Sequence, residues 1–267
     1  MLTLYHAWDS LQSFKVRVCL AELDVPWEDR SICLTEFEHL QPEYLQLNAD
    51  GLVPTLICQG QPLGESSVIN AFLDETYGRG RLHPQDAMAR ARMRWWCHCE
   101  DSVVHPAIRS PTFNLYIKPL LSSLSAEELE RRIAAHPLPE RAGAFRSAVT
   151  APFDRAAVVA AIRTLHRTIG RMNEVLLEAE WLAGDRFSLA DVAMSALVDR
   201  LKVLGLSTLW RAHPAARRWA DQMAARPSFA VAGGEQEHKV TALVEQELCA
   251  SLIKDALPPD MYAKIYN

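Results

Sequence analysis

No apolar run in the 267 residues approaches the roughly 20 that a membrane-spanning helix needs, so the chain is expected not to cross a bilayer. The opening Met1-Leu2-Thr3-Leu4-Tyr5-His6 lacks the basic and long apolar regions of a secretory leader. An excess of positive charge is missing too. Against 28 lysines and arginines stand 33 aspartates and glutamates, and the net charge of −5 argues against nucleic acid as a partner. Cysteines 19, 33, 58, 97, 99 and 249 show neither a disulfide framework nor zinc spacing, and Cys97-His98-Cys99 stands without a second ligand pair. No metal is expected. A reduced, cytoplasmic protein is the simplest reading.

What is present is enough chain to bury a substantial core in two small domains or one large one. Leu2–Tyr5 reads as a short alternating strand, followed by a polar loop from His6 to Gln12. A helix is expected from Ser13 to about Leu23, with Val16, Cys19, Leu20 and Leu23 at helical spacing. Val25-Pro26 ends it, and a second strand is expected near Glu28–Cys33. Pro42–Leu47 has a helical pattern. Gly51-Leu52-Val53-Pro54-Thr55-Leu56 reads as a loop entering a third strand, with a hairpin turn at Gln59-Gly60-Gln61, a fourth strand and a helix over Ser66–Tyr77. This β-α-β-α-β-β-α order matches a thioredoxin-like sheet over residues 1–78. Gly78-Arg79-Gly80-Arg81 and Pro84 suggest a linker at 79–86, and the pattern beyond it is almost wholly helical.

Helices are expected from about Asp86 to Val104, over Ser125–Ala135 behind the capping sequence Ser125-Ala126-Glu127-Glu128, and from about Asp154 to Glu180. Phe187-Ser188-Leu189-Ala190-Asp191-Val192 reads as a capping box with a hydrophobic staple, a structural element. A helical domain at 87–230 thus carries a long insertion near 106–153. A C-terminal extension at 231–267 contains a helix over Glu235–Leu252, with Val240, Val244 and Leu248 on a packing face. Whether this tail caps a cleft stays open.

Pro54 at the mouth of a strand costs a ladder donor. Either it is an ordinary trans proline, or a cis Val53-Pro54 bond turns the Val53 backbone outward to pair with an extended peptide. Val53-Pro54-Thr55-Leu56, followed by Glu65-Ser66 at the start of a helix, resembles the glutathione-binding signature of the glutathione transferases. Ser188-x-x-Asp191, Trp219 and Ala225-Arg226-Pro227-Ser228-Phe229 extend the likeness to about residue 230. The resemblance implies a thioredoxin-like α/β domain followed by an all-α domain, glutathione as co-substrate, and usually a homodimer. Val53 and Pro54 would hold the cysteinyl part as an added strand. Glu65 would take the ammonium and Ser66 the γ-glutamyl carboxylate at a helix start. His39, placed as in theta-like members, would take the glycyl carboxylate.

The thiolate is the nucleophile, and a free cysteine thiol with a pKa of about 8.5 is mostly protonated at neutral pH. A hydroxyl at a helix N-terminus lowers that value. Ser13 and Ser10 are the candidates, and the likeness to etherase-type members favours Ser13, whose simpler role is a helix cap. Tyr5 reads as core, Cys19 as a buried structural thiol and Lys15 as solvated. No cysteine lies between Tyr5 and Val18, which disfavours a mixed-disulfide mechanism. Trp8, Phe113 and Tyr116 are candidates for the apolar wall of a second-substrate pocket.

The insertion, with Leu124–Glu128 and Pro137–Glu140, is similar to the bacterial branch that contains β-aryl-ether-cleaving transferases. Gln41–Asn48 is instead similar to the reductive-dehalogenase branch. The expectation is a transferase directing glutathione at an apolar electrophile, with aromatic ether cleavage as its sharper form. A non-catalytic scaffold on the same fold, or a glutathione-dependent dehalogenase or thiol oxidoreductase, are the rivals.

Overall fold

A computed structural model of the chain describes residues 1–234 and 244–266. Strand β1 (Leu2–His6) and helix α1 (Leu11–Glu22) lead to β2 (Trp27–Ser31), the single turn α2 (Pro42–Leu45), the hairpin β3 (Thr55–Cys58) and β4 (Gln61–Leu63), and α3 (Ser66–Leu73). The sheet order is β2-β1-β3-β4. β1 runs parallel to β2 and antiparallel to β3, with Leu4 opposite both Asp29 and Leu56. Leu2 and Leu4 bury one face of β1 while Thr3 and Tyr5 stay half-buried, as a period of two requires. The expected second strand starts one residue earlier, at Trp27, and ends two residues earlier, at Ser31.

α1 has almost no solvated face, because α3 and two later helices, Leu189–Val203 and Pro227–Ala232, all pack against it. The expectation that Lys15 meets solvent is therefore wrong. Its side chain is fully buried, and Nζ contacts Glu100 Oε2 and lies 3.0 Å from Asp101 Oδ1. Cys19 is buried as expected. α1 also begins at Leu11, two residues before the expected start, with Ser10 as its cap.

Past α3 a wider helical turn, Asp74–Gly78, leads into the connection. The fully buried Asp74 carboxylate accepts from the Leu82 N–H at 3.0 Å and from the His83 ring at 2.5 Å. Gly78 is needed there, since an added Cβ would lie 2.4 Å from Asp74 Oδ1. The second unit contains α4 (Ala87–Cys99), α5 (His105–Pro111), the turn α6 (Lys118–Leu120), α7 (Ala126–Ile133), α8 (Pro139–Thr150) and α9 (Arg155–Glu178). After these come α10 (Leu189–Val203), α11 (Pro214–Ala224), α12 (Pro227–Ala232), α13 (Gln246–Ala256) and α14 (Pro259–Tyr266).

α4, α5 and α6 form one helical run whose turns widen to π geometry at Glu100–Val104 and Thr112–Ile117. Pro106 and Pro111 lie in this run, and neither can supply the amide that regular α bonding uses. The helix expected to stop near Val104 therefore continues, and the separate excursion is α7 and α8. The capping box is present. Asp191 accepts from the Ser188 N–H at 3.0 Å, from the Leu182 N–H at 3.0 Å and from Trp219 Nε1 at 2.9 Å. Phe187 packs on Trp181, with ring centroids 5.1 Å apart.

The expected helix Glu235–Leu252 lies partly outside the described residues, Val240 with it. The described part begins at Gln246, and Val244 and Leu248 pack against the core. One continuous apolar core links the two units. Arg17 adds a polar tie, donating to Ala232 O at 2.8 Å and Ala7 O at 2.9 Å. Arg226 grips the Glu22 carboxylate with two bonds of 2.6 and 2.7 Å. All six cysteines are free, and no described helix is long and apolar enough to cross a membrane.

Candidate functional site

A cleft of about 560 Å³ opens between the mouth of α1, the loop before β3, the start of α3, and the helices α5 and α8. Ser10, His39, Val53, Pro54, Glu65 and Ser66 all line it. Ser13 does not.

The two serines divide the work of one helix start. Ser10 Oγ accepts from the Ser13 N–H at 3.2 Å. The Ser10 hydroxyl hydrogen has no acceptor among the described residues, and the side chain is half-buried at the cleft wall. Leu11 and Gln12, the first residues of α1, also border the cleft with the unspent N–H groups of a helix start. Ser13 is fully buried one turn in, and its Oγ accepts from the Ala7 N–H at 3.3 Å.

The Val53-Pro54 peptide bond is cis. The preceding carbonyl is held by the chain itself: Leu52 O accepts from Tyr44 and from Asn48 Nδ2 at 3.0 Å, while Tyr44 and Asn48 also bond Thr55 Oγ1 at 2.9 and 3.0 Å. No hydrogen bond among the described residues uses the Val53 N–H or C=O, so both remain available on the cleft side.

Glu65 is exposed and has φ 62° and ψ 106°, a left-handed backbone that a non-glycine residue adopts at a cost of about 1–3 kcal/mol. It places the carboxylate at the mouth while Ser66 starts α3. Ser66 Oγ donates to Gln12 Oε1 at 2.6 Å. Gln12 Nε2 reaches Glu100 Oε1 at 3.3 Å, and Lys15 joins Glu100, Asp101 and Ser67 Oγ. One polar network thus ties both helix starts to the run that carries Glu100. Burial opposes charge on Lys15, but Glu100 and Asp101 outweigh it and hold the ammonium above its ordinary pKa. Burial pushes the Glu100 carboxyl up to about 7 despite Lys15.

His39 is 3% exposed, and its Nδ1 has no partner among the described residues. Its ring lies 6.0 Å from that of His136 and 6.2 Å from that of Phe145. Burial, and then His136, lower its pKa to about 4, so at neutral pH it offers an N–H and not a charge. Of the second-substrate candidates, Phe113 lines this cleft. Tyr116 is buried, and Trp8 borders a separate hollow beside Trp210 and Phe229. Tyr5 packs against Tyr44, with centroids 6.0 Å apart.

Sequence reasoning missed Gln12, Asp101, His105, Arg109 and Arg141, which all border the cleft. A signal existed for three of them. Asp101, His105 and Arg109 recur every four residues, which places them on one helix face.

Residues 1–75 match the family "Glutathione S-transferase, N-terminal domain", and residues 136–227 match "Glutathione S-transferase, C-terminal domain". Protein LigF of a Sphingobium species is 26% identical over 235 residues, spanning 85% of this chain and 91% of that one. Maleylacetoacetate isomerase of Pseudomonas aeruginosa is 27% identical over 231 residues, 85% of this chain and 93% of its own. The crystal structure of the beta-etherase LigF from Sphingobium superposes with a TM-score of 0.79 at 26% identity, covering 86% of this chain and 98% of the other.

Proposed function

The chain belongs to the glutathione S-transferase superfamily, and on that premise we propose that it is an enzyme that activates glutathione as a nucleophile against an apolar, aromatic electrophile. The observation that carries this reading is convergence. The unspent Val53 amide, the Glu65 carboxylate with the start of α3, and the Ser10 hydroxyl face one cleft, although they come from three separate segments.

The tripeptide fits these groups by their chemistry. Val53 pairs with its cysteinyl backbone as an added strand. Glu65 takes the ammonium, and the N–H groups at the start of α3 take the γ-glutamyl carboxylate. His39 donates its N–H to the glycyl carboxylate. Ser10, with the N-terminus of α1 behind it, donates to the sulfur and favours the thiolate. The expected thiolate donor Ser13 is better cast as the inner support that this hydroxyl leans on, since its own oxygen is buried away from the cleft.

In the reaction the thiol proton leaves to solvent and the sulfur forms a bond to an electrophilic carbon. The leaving group departs from that carbon with the bonding pair. An aryl ether would lose a phenolate. The likeness to LigF in sequence and in fold supports ether cleavage as the sharper form. The absence of a cysteine between Tyr5 and Val18 speaks against reduction through a mixed disulfide. Val68, Met88 and Trp95 expose apolar surface on α3 and α4, which supports a homodimer through that face. Six free cysteines suit a cytoplasmic location.

Calorimetric titration with glutathione is the test. Saturable binding that Glu65→Ala abolishes supports the reading, and aryl ethers and halides are then screened for glutathione adducts by mass spectrometry. No binding at millimolar glutathione would sink it in favour of a scaffold.

A further inference from the structure

The part of the cleft beyond the predicted glutathione contacts is not a plain apolar pocket. Ile108 and Phe113 from the α4–α6 run, with Phe145 on α8, supply an apolar lining. Among them stand two guanidinium groups, Arg109 on α5 and Arg141 on α8.

Neither side chain makes a hydrogen bond or ion pair among the described residues. Of the other cations nearby, Lys15 is committed to Glu100 and Asp101, and Arg200 donates to the Asp9 carbonyl although its Nε, like that of Arg109, has no partner among the described residues. Arg109 is half-buried, and its Nε is shielded from water with no acceptor, which is costly for a charged group. Arg141 is held below the ordinary arginine pKa, first by burial and then by Arg109, yet it remains a cation at neutral pH.

Nor do the neighbours neutralise the pair. Burial, followed by Arg141, Lys15 and Arg109, pushes His105 down to about 3. Burial and then Arg141 lower His136. Both imidazoles are neutral at pH 7. Asp101 belongs to Lys15, and Asp9 lies with Arg200. Two carboxylates act on Arg141 without forming an ion pair among the described residues: Glu140, its exposed neighbour on α8, and Glu65, which the functional reading above assigns to an ammonium.

We propose that Arg109 and Arg141 together hold a carboxylate on the electrophilic substrate, so that the enzyme takes an anionic aromatic electrophile whose ring packs between Ile108, Phe113 and Phe145. A guanidinium pair suits this task because each planar fork can give two parallel N–H bonds to carboxylate oxygens. Because Arg141 stands on α8, the excursion formed by α7 and α8 supplies half of the selectivity. This inference rests on the glutathione-transferase reading.

The test compares para-(bromomethyl)benzoate with its methyl ester as alkylating electrophiles. In each the glutathione sulfur forms a bond to the benzylic carbon while the carbon–bromine bond breaks and bromide leaves with the pair. The native protein is expected to favour the carboxylate in kcat/KM by at least about tenfold. Arg109→Gln and Arg141→Gln should each remove that preference through KM, leaving the ester rate and the glutathione Kd within about twofold of native.

Equal rates for acid and ester in the native protein would overturn the proposal. So would a weakened glutathione Kd in Arg141→Gln, which would assign that cation to the tripeptide. A readout that needs no variant is titration of the glutathione-saturated native protein with unreactive para-toluate and its methyl ester. Saturable binding of para-toluate alone supports the inference, and binding of neither overturns it. If glutathione itself fails to bind, the functional reading fails first and takes this inference with it.

Discussion

Ser10 Oγ accepts the Ser13 N–H at 3.2 Å, so the hydroxyl that caps α1 is the one that faces the cleft, while the Ser13 hydroxyl lies inside the fold. The cap and the sulfur contact are then two uses of one oxygen. It accepts from the helix through a lone pair and keeps its own hydrogen for a ligand.

Ser10→Ala should raise the pKa of enzyme-bound glutathione toward its free value and cost about 1 kcal/mol of stability as a lost cap. Ser13→Ala should leave the bound thiol pKa unchanged while destabilising the fold, because it strands the buried Ala7 N–H. Ultraviolet absorbance of the bound thiolate across pH, with urea unfolding alongside, separates the two. The reverse pattern would return the role to Ser13.

Lys15→Met should destabilise the protein by about 3–5 kcal/mol, since it leaves the buried Glu100 carboxylate without its partner. Adding Glu100→Met to that variant should recover much of the loss, because an apolar pair carries no desolvation cost. Denaturation of the two single variants and the double variant measures the coupling. Additive losses would show that the pair does not act as a unit.

His39 has a folded-state pKa of about 4 against an ordinary 6.5, because it is buried and faces His136. The unfolded chain therefore takes up this proton first. Stability linked to His39 is full above pH 6.5 and is lost as pH falls toward 4, by up to about 3 kcal/mol. Glu100 titrates in the opposite sense, so the native profile alone is ambiguous. The difference between native and His39→Gln isolates the histidine: the variant should lose less stability between these limits. Parallel profiles would show that His39 titrates normally.

Asp191→Ala should cost about 3–5 kcal/mol, since the buried Leu182, Ser188 and Trp219 donors all lose their acceptor. Asp191 stands outside the residues that line the cleft. The folded fraction should thus bind glutathione with native affinity in calorimetry, and a loss of affinity beyond the loss of folded protein would give this aspartate a wider role.

Much of this protein was legible in local pattern. The strand and helix order, the loop at Val53-Pro54, the start of α3 at Ser66 and the capping box at Ser188 are written in neighbouring residues, because pleat, helix period and capping act over fewer than about five positions. Which hydroxyl faced the cleft was not written there. It depended on α1 beginning at Leu11, two residues earlier than its apolar period suggests, with α3, α10 and α12 closing over the Ser13 side. Lys15 reads as solvated for the same reason: its partners Glu100 and Asp101 lie some 85 residues away, and only the docking of the helical unit brings them within reach. The convergence of Arg109 and Arg141 on one cleft is likewise a product of tertiary structure. A side chain's period declares its face, but what covers that face is settled by residues far away in the chain.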